Sequence, residues 1–478
     1  MLGSPSHEEE DDRSWSDLAY QLIHNINPPP LPAAAAAAAA SDSPTLDWRQ
    51  LLIRSAEFIS CSDFYSARRL LSSMSANSSL RCGDFTERLV HQFTRALIMR
   101  LNRYHSVGGG DTSTTATGPS DHDTGSSFNG GRVVLDYHAD MGNPPATASA
   151  ATAIQPTAVN VGESDFYSEE EAAVRSSYLA LNQVTPYIRF SQLTANQAIL
   201  EAVNGQDGVH ILDLDIMHGL QWPPFMQAIA ERCSNQHRPP PLLRITGTGP
   251  DLDLLRRTGD RLHKFAQSLG LKFRFHPLQL LNEYSPAALA LRLPSAVSLF
   301  PEETLAVNCV HYLHRLLRDP PHDSRDLRLF LHKIKAMNPK VVTLAEREGS
   351  HNHPLFMQRF VEALDHYGAI FDSLEATLPP NSQERLAVEH VWFGREIMDI
   401  VAAEGDQRRE RHERFESWEV ILRSSGFSNI PLSPFNLSQA KLLLRLHYPS
   451  EGYQLQLLND SLFLGWQNDA LFSVSSWH

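Results

Sequence analysis

Two carboxylates end the apolar run Val209-His210-Ile211-Leu212-Asp213-Leu214-Asp215, and Gly219 stands in the turn that follows. Acids at the carboxyl end of a buried strand sit where open α/β sheets build nucleotide-type sites. Asp213 and Asp215 are placed for such a site. Its ligand would be S-adenosylmethionine and its chemistry methyl transfer. The glycines argue against this. Gly219 stands alone between Asp213 and Trp222, whereas close backbone approach to a cofactor usually needs several glycines. The acid expected at the end of the next strand is also missing. That strand closes Ile245-Thr246-Gly247-Thr248-Gly249, and Asp251 beyond it suits the cap of a following helix. The residues therefore predict an acid pair closing strand and loop by hydrogen bonds, with no bound cofactor.

Other reactive types are sparser. His311 and His314 lie near Cys309. At helical spacing they would share one face, but no neighbouring carboxylate completes a ligand set, so a structural role is expected and no metal. His351 and His353 precede Pro354 and read as a polar loop after Glu346-Arg347-Glu348. There is no serine nucleophile elbow and no phosphate-binding loop. No catalytic residue is assigned, and the chain is not expected to be an enzyme.

The elements that position these residues follow a strand-then-helix rhythm from Val209 onward. Strands are expected at 209–215, 242–246, 271–275, 305–310 and 341–345. Helices are expected at 225–233, 252–269, 327–337, 356–367, 386–403, 415–424 and 437–447, with another through 313–317. Ile211 and Leu212 are both apolar, which suits a parallel strand covered on both faces. Strands at 454–458 and 462–466 flank Asn459-Asp460, a hairpin signal, and 472–477 reads as a further strand. The pattern predicts an α/β fold with a Rossmann-like sheet ending in an antiparallel hairpin of the methyltransferase type.

Before that sheet the chain is helical. Trp48, Leu51, Leu52, Ala56 and Ile59 mark one helix, 63–74 a second, and Phe85, Leu89, Phe93, Ala96, Leu97 and Leu101 the face of a third. No heptad persists, so an N-terminal helical cap is expected rather than a coiled coil. Further helices begin at Phe166 and span 194–203. Residues 1–45, with acidic 7–12, Pro28 to Pro30 and an alanine tract, read as a disordered tail. Within it Trp15, Leu18, Leu22 and Ile23 form a short amphipathic stripe. Residues 106–162 read as a low-complexity insertion.

The bulk properties set limits. The 478 residues carry 41 Lys+Arg against 55 Asp+Glu, a net charge of −14, which argues against broad wrapping of nucleic acid. Cys61, Cys82, Cys233 and Cys309 form no CxxC pair, so a reducing intracellular compartment fits best. No run of about 18 apolar residues suggests a membrane span. Arg408-Arg409-Glu410-Arg411-His412-Glu413-Arg414 is the densest basic cluster; its interleaved acids predict a solvated helix of paired charges rather than a phosphate contact or import signal. Leu313, Leu316 and Leu317 fit the LxxLL docking pattern, with core packing against the sheet as the competing and favoured explanation.

Val209, His210, Ile211, Leu212 and Asp213 resemble the VHIID signature of the plant GRAS family, with Leu212 in place of the second isoleucine. Thr194-Ala195-Asn196-Gln197-Ala198-Ile199 and Gln221-Trp222-Pro223 match the family as well. Pro339, Phe360, Tyr367, Arg395 and Glu396 resemble its PFYRE region. Trp418, Trp466, Ser475, Ser476 and Trp477 resemble its closing SAW region, with Ser476 where alanine is usual. The resemblance implies a GRAS domain over 46–478. Its parts are a first leucine repeat at 46–165, the VHIID region at 178–244, a second leucine repeat at 252–284, PFYRE at 304–403 and SAW at 406–478.

The same resemblance implies a nuclear transcriptional regulator that meets DNA indirectly, through other regulators. Pairing as a homodimer or with a related chain is expected, because exposed leucine faces on helices need burial. No DELLA-type motif occurs. The Met1-Leu2-Gly3-Ser4 start resembles the Lateral suppressor/Monoculm branch, which implies a role in axillary meristem initiation and shoot branching.

Overall fold

In the computed structural model of the chain, the described residues are 47–77, 83–107, 163–280, 285–319 and 323–478. The expected tail, its stripe from Trp15 to Ile23, Cys82 and the insertion beyond residue 107 lie outside them.

Among the described residues five helices precede the first strand: α1 (Trp48–Ser60), α2 (Phe64–Asn77), α3 (Phe85–Val107), α4 (Glu163–Val184) and α5 (Pro186–Ala202). The strand–helix alternation follows as β1 (Gly208–Asp213), α6 (Trp222–Asn235), β2 (Leu242–Gly249), α7 (Leu252–Ser268), β3 (Phe273–Gln279), α8 (Pro286–Ala296), β4 (Thr304–Val310), α9 (Asp323–Ala336) and β5 (Val341–Arg347). Next come α10 (Phe356–Thr377), α11 (Gln383–Ala387), α12 (Gly394–Ala402), α13 (Phe415–Ser424), β6 (Asn429–Ile430) and α14 (Pro434–His447). The chain closes on β7 (Tyr453–Leu458), β8 (Ser461–Trp466) and β9 (Asp469–Trp477).

Among the described residues the nine strands form one sheet, in the order β3-β2-β1-β4-β5-β9-β8-β7, with β6 on β9. β1 to β5 run parallel and β9 enters antiparallel beside β5. This is a Rossmann-like sheet of the methyltransferase kind. Asn459 and Asp460 both adopt positive φ, so the β7–β8 hairpin turns with the hand that matches strand twist.

The sheet divides two apolar cores. Val209 and Ile211 of β1 face one, together with α5, α6 and the first three helices; Leu212 faces the other, with α8, α9 and α13. The run is therefore buried on both sides, as its composition predicts. α5 is buried almost all round, packed against β5 and β9 on one side and α4, α6 and α14 on others. The leucines of α1 to α3 are satisfied within the chain: Leu52, Leu71, Leu89, Leu97 and Leu101 are all buried in the core. They form the expected cap, and the exposed helical leucines lie elsewhere, at Leu291, Leu329 and Leu442.

Local signals read as expected at several ends. Asp251 caps α7 by accepting from the backbone N–H groups of Asp253 and Leu254. Gly270 and Gly426 take positive φ just past α7 and α13. Elsewhere the structure differs. The helix expected through 313–317 is a single 3-10 turn, Leu313–Leu316. The helix expected at 386–403 is α11 and α12 joined by a π turn, Val388–Phe393. α8 was not anticipated, because Pro286 and Pro294 break its pattern; Pro286 sits in the first turn, where its missing N–H costs nothing, and Pro294 near the last. Among the described residues no helix is long and apolar enough to cross a membrane.

Candidate functional site

Asp213 at the carboxyl end of β1, Asn308 within β4 and Thr343 within β5 stand side by side, paired in register across the sheet. They form a buried polar row in an apolar setting. Asn308 Nδ2 donates to Asp213 Oδ1 at 3.0 Å and to Gln221 Oε1 at 3.0 Å. Gln221 Nε2 donates back to Asn308 Oδ1 at 3.0 Å and to Asn196 Oδ1 at 3.1 Å. Thr343 Oγ1 donates to Asn308 Oδ1 at 3.0 Å. Trp222 Nε1 completes the set by donating to Asp213 Oδ2 at 2.8 Å. Both Asp213 oxygens are thus engaged by the chain itself. Burial still pushes this carboxyl up to about 7, against the pull of its Asn308 and Trp222 bonds. Asn196, Gln221, Asn308 and Thr343 escaped the reading by residue type, although an asparagine inside Leu305-Ala306-Val307-Asn308-Cys309-Val310 is itself a signal.

A cofactor would have to enter beside this row, and the room is taken. A Cβ added to Gly247 would meet Ile216 Cδ1 and Phe275 Cζ at 2.8 Å. One added to Gly219 would meet Thr258 Cγ2 at 2.7 Å. In each case the backbone openness that glycine supplies is filled by a neighbouring side chain instead of a ligand. The cleft bounded by Tyr178, Asp213, Asp215, His314, Arg315 and Glu410 offers about 40 Å³ to a water-sized sphere. A small-molecule pocket is on the order of 300 Å³ or more.

The neighbouring acids and histidine are also consumed. Arg315 Nη1 donates to Asp215 Oδ2 at 2.7 Å. His210 Nε2 lies 2.9 Å from Thr246 Oγ1, and Arg244 Nη2 donates to His210 Nδ1 at 3.0 Å. Arg244 in turn pairs with Glu303. His210 therefore carries its proton on Nε2 and ties β1 to β2. Burial, with the charges of Arg244 and His276, holds it down to about 3, so it is neutral.

A second buried cluster lies beyond the cleft. His314 Nδ1 is 2.7 Å from Glu346 Oε2, and His314 Nε2 is 3.1 Å from Glu410 Oε2. His412 Nδ1 meets His351 Nδ1 at 2.9 Å. Burial opposes a charge on His314, but the two glutamates outweigh it and lift the imidazole to about 9. This corrects three expectations. His311 and His314 do not share a helical face, because His311 has positive φ and precedes the 3-10 turn. Carboxylates do attend His314, brought by β5 and by the 405–414 segment. That segment is not a solvated helix: Arg408, Glu410, Arg411 and His412 are buried, with Arg408 and Arg411 both on Asp319. The LxxLL leucines take the favoured of their two explanations, core packing. Leu313, Leu316 and Leu317 are at most 4% exposed and pack in the core behind β4, so they present no face to a groove.

The sequence profile of the GRAS domain family matches residues 146–478. The chain belongs to the GRAS family. It is 52% identical to Scarecrow-like protein 18 of Arabidopsis thaliana over 433 residues, covering 90% of this chain and 91% of that one. It is 41% identical to Protein MONOCULM 1 of Oryza sativa subsp. japonica over 448 residues, covering 90% and 88%. The crystal structure of SCL7 in Oryza sativa superposes with a TM-score of 0.65 at 29% identity, over 91% of this chain and 100% of that one. GRAS family members are plant transcriptional regulators.

The residues expected as GRAS landmarks are spread over the fold. Asn196 and Gln221, from the two motifs flanking VHIID, meet Asp213 through the polar row. Of the residues expected to form a PFYRE region, Tyr367 Oη donates to Glu396 Oε2 at 2.9 Å, and Arg347 Nη2 donates to Glu396 Oε1 at 2.6 Å. Phe360 packs edge-on against Phe93 of the cap, Pro339 is buried, and Arg395 lies over the Trp392 ring. Of the residues expected to form a SAW region, Trp418 and Trp477 are fully buried, and Trp466 Nε1 donates to Asp372 at 2.7 Å. Trp477 Nε1 donates to Ser475 Oγ at 2.9 Å, and Ser476 Oγ donates to the Ile430 carbonyl at 2.9 Å. These aromatics anchor the core, the role their size predicts.

Proposed function

We propose that the chain is a nuclear transcriptional regulator that acts through protein partners at DNA, in axillary meristem initiation and shoot branching. The carrying observation is that the position where a methyltransferase-like sheet would take its cofactor is filled by the chain's own side chains. Trp222 and Asn308 hold Asp213, Arg315 holds Asp215, and Ile216 lies against Gly247. A fold that has spent its reactive groups on itself is left with surfaces as its means of action.

The developmental role rests on the 41% identity to MONOCULM 1 across nearly the whole chain. The partners we propose are other transcriptional regulators, including a second GRAS domain, with DNA reached indirectly. An acidic chain that buries Arg408 and Arg411 favours such a route over direct wrapping of phosphate. We read the leucine-repeat, VHIID, PFYRE and SAW segments as parts of one scaffold.

The test combines three measurements. A fluorescent fusion should accumulate in nuclei, and pull-down with chromatin mapping should recover other regulators at shared loci. Calorimetry with S-adenosylmethionine should show no heat of binding. Tight binding lost in a folded Asp213→Ala variant would instead establish the methyltransferase alternative.

A further inference from the structure

We propose that His314, Glu410 and His412 form a binding site for a divalent first-row cation, zinc by the chemistry of its donors, that fastens the 405–414 segment to the ends of β4 and β5. His314 comes from the 3-10 turn after β4. Glu410 and His412 are alternate residues of an irregular segment. All three are buried, and their ligand atoms lie within 4.8 Å of one another. Glu410 Oε2 is 3.1 Å from His314 Nε2 and 3.4 Å from His412 Nε2. Tetrahedral zinc with bonds of about 2.0–2.1 Å sets neighbouring donors roughly 3.3 Å apart.

The surroundings are those of a metal site. Glu346 takes the outer nitrogen of His314 at 2.7 Å, which fixes the tautomer that turns Nε2 inward. His351 Nδ1 lies 2.9 Å from the outer nitrogen of His412 and holds that ring in place. An independent observation comes from His412. Its Nε2 is buried, makes no hydrogen bond and stands 3.4 Å from Glu410 Oε2. A buried imidazole nitrogen without a partner is costly, and a cation at this point would engage it. His314 and Glu410 also line the small cleft beside Asp213. Two imidazoles and one carboxylate suit zinc better than magnesium or calcium, which prefer oxygen donors throughout.

The test uses the purified full chain, stripped with chelator, reloaded with excess Zn²⁺ or Co²⁺ and desalted. Elemental analysis should find about one tightly held metal per chain, the cobalt form should show visible bands of tetrahedral intensity, and zinc should raise the melting temperature. His412→Gln and Glu410→Gln should abolish the cobalt bands while circular dichroism stays native. Glu346→Gln should weaken zinc about 10- to 100-fold, as loss of an outer-shell partner does. Exposed His332→Gln should change nothing. If the ligand variants misfold, X-ray absorption of the wild-type zinc form decides: two imidazoles with oxygen support the site, and sulfur or a single imidazole overturns it. A wild-type chain that retains no metal overturns it, as does a natively folded His412→Gln chain with unchanged metal content. In those cases the three side chains share only protons.

Discussion

Arg347 at the end of β5 donates to Glu396 in α12 at 2.6 Å, and both side chains are almost wholly buried. The pair joins the parallel sheet to the helices that follow it, and Tyr367 of α10 adds a second bond to the same carboxylate. Removing one partner leaves the other as an uncompensated buried charge. Glu396→Ala is therefore expected to lower unfolding free energy by about 3–5 kcal/mol, read from urea melts. The double variant Arg347→Met/Glu396→Met removes both charges and should recover much of that loss. A double variant no more stable than the single would show that geometry, not the stranded charge, sets the cost.

Arg88 plays the matching part for the cap. Its Nε donates to Glu389 Oε2 at 2.8 Å, linking α3 to the π turn 301 residues later, and Glu375 takes a further bond. Arg88→Met strands Glu389. Because α3 carries most of the cap's packing on α10 and α12, with α1 adding a smaller contact on α10, hydrogen exchange should rise first in α1 to α3 while β1, β4 and β5 keep their protection. Uniform loss across cap and sheet would mean that the two unfold as one unit.

Asp213 gives a pH dependence with a defined sign. Its carboxyl rises from an ordinary 3.8 to about 7 in the folded chain, chiefly through burial. Between those values the folded chain keeps a proton that the unfolded chain has released, so stability falls as pH rises through the window. Asp213→Asn cannot titrate. Glu348, which burial also raises to about 7, keeps its own slope in both chains. The stability difference, wild type minus variant, should therefore shrink by on the order of 2 kcal/mol between pH 5 and pH 8 in urea melts. An unchanged difference would place the ionised form as readily in the fold as in water.

The sheet was legible because its strands are apolar on both faces and its helices carry caps. The burial of Ile211 and Leu212, the Asp251 cap and the Asn459-Asp460 turn each follow from local physics. The expectation that Asp213 closes strand and loop by hydrogen bonds needed only the shortage of glycines. Its partners were not legible, since Asn308 and Thr343 reach it through register between strands far apart in sequence. The 405–414 segment misled for the same reason. Alternating Arg and Glu has the look of a solvated helix, but Asp319 and His351 lie in distant segments and draw Arg408 inward. His314 lost its helical spacing where Arg315, by pairing with Asp215, and Glu346, by accepting from the His314 backbone N–H, hold a single tight turn.

Gly219 and Gly247 offer the most direct check on a scaffold whose cofactor space is filled from within. Gly219 has φ +73, and a Cβ there would stand 2.7 Å from Thr258 Cγ2. Gly247 has ordinary φ, but a Cβ there would meet Ile216 and Phe275 at 2.8 Å. Gly219→Ala combines backbone strain with overpacking, so a loss of about 2–4 kcal/mol is expected in urea melts; Gly247→Ala overpacks alone and should cost about 1–3 kcal/mol. Trimming the obstructing side chain separates the two causes. Ile216→Val should relieve part of the Gly247→Ala penalty, because that clash is with a flexible aliphatic end. Thr258→Ser should relieve less of the Gly219→Ala penalty, because removing a methyl leaves φ unchanged. If both alanine variants were as stable as the parent chain, the space beside Asp213 would be open, and the cleft would again be a candidate for a ligand.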